Sequence, residues 1–326
     1  MNRRRLGSLQ IRFMWLLSFA LIAFVPGWAQ AVMAGLTPDS PAARVDANRA
    51  DSPWTGVSAV LVDASSFSGV AIGPRHVLTA AHVVGDADPS RIRVQFNLSS
   101  TPLVMQVEKV LIHPGFSGFN TPNLNDDLAV IVLSTALPPE VNWYPIHRAA
   151  PRVGLEFRMV GYGGSGLGNG EARLAADPAV KRVGGNSADR YLTDDDGSGL
   201  PEVYLFDFDG EGAVNVMGAI GLGNAIESSL AQGDSGSPSF VTDSGRLHVY
   251  GINTFLSRAM PAEPGTIGSV GGGMVVSAYA TWIDSVMQAT QVESDLRSAE
   301  VPLPHSALAI FVAALAWLAR RPSGSV

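Results

Sequence analysis

Between Trp54 and Val276 the apolar runs of this chain are short. They read Val57–Val62, Gly69–Ile72, His76–Ala81, Ile92–Phe96, Leu103–Ile112 and Leu128–Leu133, then Phe157–Tyr162, Val203–Phe208, Pro238–Val241, Leu247–Phe255 and Gly273–Val276. Turn residues separate them at close spacing, with 35 Gly and 21 Pro in the chain to supply the breaks. Such runs suit strands that bury one or both faces, and several of them in series point to an all-β sandwich or barrel. Two series predict two packed β-barrels. One helical pattern follows, Thr281–Thr290, which places Trp282, Val286 and Ala289 on a common face and predicts a C-terminal α-helix.

Composition excludes several functions. At 46% hydrophobic and 16% charged residues the chain is a folded globular protein, not a disordered one. Cysteine is absent, which removes disulfides, a thiol nucleophile and Cys-based zinc sites. A domain of this size can bury enough core to manage without staples. The formal charge is −7, and the four Arg near the start sit in a segment expected to be removed, so the mature protein is more acidic still. Nucleic acid, which selects a basic footprint, is excluded as a partner.

Both ends read as addresses. Arg3, Arg4, Arg5 and Arg12 precede an apolar stretch from Phe13 to Val25, and small residues follow at Ala29 and Ala31. That order is a secretory signal, residues 1–31, with cleavage expected after Ala31 and an uncleaved N-terminal anchor as the alternative. Residues 32–53, rich in Ala, Pro, Asp and Arg and without periodicity, read as a linker or propeptide. Residues 54–292 form the folded domain and 293–300 a second linker. At the C-terminus, Val301-Pro302-Leu303-Pro304 leads into an apolar run, Ser306 to Ala319, closed by Arg320-Arg321. Residues 301–326 resemble the PEP-CTERM family of sorting signals, with VPLP where the commonest form has VPEP. The resemblance implies membrane contact through a short hydrophobic helix and an exosortase-type processing enzyme as partner. A permanent anchor is the alternative. Either way the protein is expected outside the cytoplasm: periplasmic, at the cell surface or secreted.

Three segments carry chemistry together: Thr79-Ala80-Ala81-His82, Asp127-Leu128-Ala129-Val130 and Gly233-Asp234-Ser235-Gly236-Ser237-Pro238. Glycines on both sides of a serine let the backbone turn so that two amides face one point. The set resembles the trypsin-like (S1) serine peptidases, in which TAAH supplies a base, D-[LI]-A an orienting carboxylate and GDSGGP the nucleophile. Ile112-His113-Pro114, Val160-Gly161-Tyr162-Gly163, Gly251-Ile252 and Ser277-Ala278-Tyr279 agree in register. The resemblance spans about Trp54 to Gln291 and implies an all-β chymotrypsin-type fold of two packed six-stranded β-barrels with a C-terminal α-helix. It also implies His82, Asp127 and Ser235 as a catalytic triad, with the amides of Gly233 and Ser235 as oxyanion hole. Asp127 is preferred to Asp126 because the family's Asp immediately precedes the Leu-Ala strand. The expected activity is hydrolysis of protein peptide bonds through an acyl-enzyme intermediate; the alternative is a catalytically silent binding module displayed at the cell surface. An α/β-hydrolase is excluded, since G-x-S-x-G would need Gly at Ser237 and a catalytic His after the acid.

The chain departs from the family pattern in four ways. No IVGG-like start is evident to pair with Asp234, Val83 stands where a Cys would follow the base, Ser237 replaces a Gly, and the Gly- and Asp-rich stretch 163–232 is longer than needed. By the resemblance, Ser229 lies at the base of the substrate pocket, with Thr254 and Leu256 on its wall. With no carboxylate there, small or medium apolar side chains are the expected preference. No cofactor is required. Clustered carboxylates beside glycines can wrap Ca²⁺ for stability, with Asp194, Asp196, Asp207 and Asp209 as the candidates, although acidic surface loops are the simpler reading.

Overall fold

The computed structural model describes residues 32–118, 124–210, 216–218, 221–257 and 262–298. The expected signal, residues 1–31, and the expected sorting tail, residues 301–326, lie outside them. Among the described residues there are thirteen strands, two α-helices and one 3-10 turn, Pro89–Arg91: β1 Val57–Val62, β2 Ser65–Gly73, β3 His76–Thr79, α1 Ala81–Val84, β4 Ile92–Phe96, β5 Leu103–Ile112 and β6 Ala129–Leu133 come first. They are followed by β7 Leu155–Gly161, β8 Arg182–Ala188, β9 Arg190–Thr193, β10 Pro201–Asp207, β11 Pro238–Asp243, β12 Arg246–Ser257, β13 Val270–Val275 and α2 Ala280–Ser298.

The first six strands close into a barrel in the order β1-β2-β3-β6-β5-β4, all antiparallel. Val57, Val60, Val70, Leu78, Val94 and Ile131 on its strands are wholly buried. The second unit is a seven-stranded sheet, β8-β7-β11-β12-β13-β10-β9, where a second six-stranded barrel was expected. The additional strands β8 and β9 arise inside the Gly/Asp-rich stretch, where Arg182–Ala188 (RVGGNSA) carries too little apolar alternation to be read as a strand. Tertiary pairing with β7 fixes it instead.

An aromatic group, Phe157, Tyr204, Phe206 and Tyr250, fills the second sheet. Phe240 joins the two halves, its ring 5.2 Å from Trp54 and 4.8 Å from Tyr144. Helix α2 is longer than the pattern predicted and runs through Ser298, into the stretch expected as a linker. Among the described residues no helix is long and apolar enough to cross a membrane.

Residues 32–53, expected as linker or propeptide, lie against the second unit. Met33 bridges Ser229, Val45 bridges Arg182, and the Arg44 guanidinium holds Asp39 while donating to the Ile226 carbonyl at 3.1 Å. The firmest tie is electrostatic. Lys181 is fully buried, with its ammonium 3.0 Å from Asp46 and donating to the Trp54 carbonyl at 2.9 Å. Burial alone would push this lysine toward its neutral form, and Asp46 opposes that shift. Because Asp46 retains some contact with water while Lys181 has none, the two deletions are unequal. Asp46→Ala strands a buried cation and is expected to cost about 3 kcal/mol, whereas Lys181→Met costs less. Urea unfolding of both variants checks the order.

Candidate functional site

His82 sits on α1, a single turn directly after β3, and β3 pairs with β6 along its whole length. Because β6 begins at Ala129, the residues just before it arrive beside α1. Asp127 is fully buried there. Its Oδ1 accepts the His82 backbone N–H at 2.9 Å and its Oδ2 faces His82 Nδ1 at 2.7 Å. With Nδ1–H donating to the carboxylate, Nε2 is left as the acceptor, which is the tautomer a general base requires.

The neighbouring acid has a separate partner. Asp126 takes a left-handed backbone, φ 63°, which turns its side chain away from His82. Its Oδ1 lies 3.0 Å from His113 Nδ1, and its N–H donates to the Tyr279 hydroxyl at 3.0 Å. The His113 ring stands edge-on to Tyr279 and Trp282, at 5.1 and 4.9 Å. So the Ile-His-Pro segment and the start of α2 hold Asp126, and the carboxylate at His82 Nδ1 is that of Asp127.

Ser235 is delivered from the second unit by the loop before β11. Gly236 decides its position: φ is +82°, and a Cβ there would collide with Thr79 Oγ1 and the Ser68 carbonyl and meet the Ala80 nitrogen. The Ser235 loop is thus pressed against the turn that carries His82. Among the described residues no hydrogen bond joins Ser235 to His82; the tie runs through Gly236. The loop's amides divide into two sets. Those of Asp234, Gly236 and Ser237 donate to the carbonyls of Ala231, Asn253 and Asp234. Those of Gly233 and Ser235 have no acceptor among the described residues. Two free N–H groups one residue apart, flanked by paired ones, are what an oxyanion hole needs.

Asp234, next to the serine, is buried, and burial pushes its carboxyl up to about 8 despite N–H donation from Ala231 and Gly163 and the nearby Arg182. The backbone of Val32 nearby also lowers it, by less than burial raises it. Val32, Met33 and Ala34 are buried at 1%, 0% and 0% exposure. The sequence reading found no start that could pair with Asp234, and the structure packs Val32-Met33-Ala34 in the same buried region.

The pocket candidates are less open. Ser229 is fully buried and covered by the Met33 bridge, Thr254 is buried, and the hydroxyls of both have no partner. Leu256 is partly exposed on β12, opposite Gly271. None of the three carries charge.

The acidic candidates separate. Asp194 and Asp196 cap their own turn, accepting the N–H groups of Gly199 and Ser198 at 2.9 Å. Asp207 lies at the far end of β10, roughly 20 Å along the strand at about 3.3 Å per residue, so one ion cannot use both ends. Asp207 and Asp209 instead meet Glu227, which the sequence reading missed, with ligand oxygens within 4.8 Å and all three residues buried. Burial, then the Asp209 and Asp207 charges, push Glu227 up to about 7. All donors are oxygen, a set that fits a hard cation such as Ca²⁺.

Comparison with known proteins follows this geometry. A family model described as Trypsin matches residues 44–196, a span that holds His82 and Asp127 and ends before Ser235. Among solved structures, mouse neuropsin, described as a serine protease expressed in the limbic system of mouse brain, aligns with a TM-score of 0.50 at 21% identity. That alignment covers 73% of this chain and 96% of neuropsin, and it bears on the fold, which is of the chymotrypsin type. No curated protein matches the chain.

Glu202, on β10 beside this site, gives a pH prediction. It is 7% exposed and raised to about 7 by burial and by the charge of Asp126, while a hydrogen bond to Tyr279 opposes the rise; Asp194 and Asp196 add to it. Its folded pKa exceeds the unfolded value near 4.3, so the native state holds the extra proton between the two. Stability should therefore be highest at about pH 5 and fall as pH rises through 7. Urea midpoints from pH 5 to 8 should slope less in Glu202→Gln, with a residual slope from Asp189, Glu227 and Asp234, which are displaced the same way.

Proposed function

We propose that the chain is an exported serine endopeptidase that cleaves protein peptide bonds through an acyl-enzyme intermediate. The observation that carries the reading is the Gly236 contact, which presses the Ser235 loop onto the turn whose histidine is already bonded to a buried carboxylate.

His82 Nε2 takes the Ser235 proton as the oxygen attacks the substrate carbonyl. The negative oxygen that forms is held by the free amides of Gly233 and Ser235. Asp127 stabilises the resulting imidazolium, which then protonates the leaving amine. Water repeats the sequence on the acyl-enzyme and releases the acid product.

Maturation belongs to the same reading. Cleavage after Ala31 during export turns the Val32 nitrogen into an α-ammonium beside Asp234. An adjacent cation favours the ionised carboxylate, which offsets the cost of burying it. One processing step would then both release the enzyme and fix the loop holding Ser235. The 301–326 tail would hold the protein at the membrane or pass it to an exosortase-type enzyme, leaving the domain on the outer side. Substrates are proteins, cut after small or medium apolar residues because the pocket candidates carry no charge.

Hydrolysis of a denatured protein by the chain matured to begin at Val32 tests the proposal. Activity is expected, with cuts mapped by mass spectrometry falling after small or medium apolar residues, and Ser235→Ala should abolish it. A form extended by residues 28–31 should be at least roughly tenfold slower, since its amide cannot charge-pair with Asp234 and oxyanion geometry is worth one to three orders of magnitude. A folded, matured chain with no turnover would turn the reading toward the binding module.

Calcium is proposed for the Asp207–Asp209–Glu227 cluster in a stabilising role. A ligand that binds only the native state raises its stability by mass action. Added Ca²⁺ should raise Tm at pH 7.5 and a chelator should reverse it, with the response lost in Glu227→Gln. An unchanged Tm would show that the cluster takes no calcium.

A further inference from the structure

We propose that Ser68, on β2 of the first barrel, is the positioning residue for the oxyanion hole. The inference rests on the serine-peptidase reading and assigns a residue of that site outside its three motifs. Ser68 is fully buried, yet each of its polar groups is used. Its N–H donates to the Ser235 carbonyl at 3.0 Å. Its hydroxyl donates to the Gly233 carbonyl at 3.1 Å and accepts the Tyr162 N–H at 3.0 Å. Its carbonyl accepts the Thr79 hydroxyl at 2.8 Å.

Those partners belong to every part of the site. Ser235 is the nucleophile, Gly233 and Ser235 own the two free amides, Thr79 begins the turn that carries His82, and Tyr162 follows β7 of the second unit. Gly233 has φ +95° and no side chain of its own to hold it. A carbonyl anchored at Gly233 and another at Ser235 fix both ends of the short segment whose amides must point together. Only the second anchor is a backbone bond that any residue could make. The first needs a hydroxyl at position 68, donating in one direction and accepting in the other. Without it, a buried carbonyl and a buried N–H lose their partner together, and the Gly233 peptide is free to turn.

A comparison serine lies one strand away. Ser58, on β1, is also fully buried, but its hydroxyl has no partner. Removing it alters a similar volume and no hydrogen bond.

The test measures kcat and KM of the full chain, expressed for export and purified, for Ser68→Ala, Ser68→Cys and Ser58→Ala, with Tm as the check on folding. Ser68→Ala should lose roughly tenfold to hundredfold in kcat, with KM changed less than about threefold, because the loss is one of transition-state geometry. Labelling of Ser235 by a fluorophosphonate should slow by a similar factor. Ser68→Cys, with its weaker donor, should fall between Ala and wild type and decides the matter if the Ala variant does not fold. Ser58→Ala should retain wild-type kcat. Wild-type kcat in folded Ser68→Ala or Ser68→Cys would overturn the assignment while leaving the proposed activity in place. Absence of turnover in the wild type would overturn both.

Discussion

A site built between two separately hydrogen-bonded β-units exists only if the units are held in one relative position, and here that position is set where Gly236 meets β2 and the end of β3. Only a residue without Cβ can bring the loop this close, and only a positive φ lets it then turn into β11. The contact sets the Ser235 loop against the His82 turn and puts Ser68 within reach of both. In a chain without disulfides, hydrogen bonds and close packing do this at every point of the seam. Each is individually small, so the arrangement depends on their being made together.

Buried carboxylates recur in both halves of the molecule, and their surroundings sort them. Asp127 is buried but accepts two hydrogen bonds from His82. Asp126, one residue earlier, points the other way and pairs with His113. Glu202, Glu227 and Asp234 have their pKa values raised chiefly by burial. Burying a charge costs several kcal/mol unless a partner or a proton compensates. Glu227 has two further acids, Asp207 and Asp209, beside it. The segment 32–53 packs against the second unit although its composition is that of a linker.

The short apolar runs and their turn residues were enough to read an all-β chain in two units with a closing helix, because strand periodicity is local. His82, Asp127 and Ser235 stood out for a different reason: TAAH, D-L-A and GDSG are short segments that resemble those of a known family, and a short segment is legible from adjacent residues. Strands β8 and β9 were not legible, since RVGGNSA becomes a strand only through its pairing with β7. Nor was the grouping of the acids, which depends on β10 carrying Asp207 away from Asp194 toward Glu227.

What the sequence determined by itself is therefore the set of groups that chemistry could use: a histidine, an aspartate, a serine and the glycines beside it. Tertiary structure decided their surroundings. It gave Asp126 and Asp127 different partners, left the amides of Gly233 and Ser235 without an acceptor among the described residues while pairing their neighbours, and brought Ser68 to the Ser235 loop from a distant part of the chain. No local pattern marks Ser68, because a serine in a strand resembles any other until the fold shows which carbonyl its hydroxyl meets. Hydrogen bonds between residues far apart in sequence depend on how strands are ordered and paired, and that ordering is a property of the whole chain.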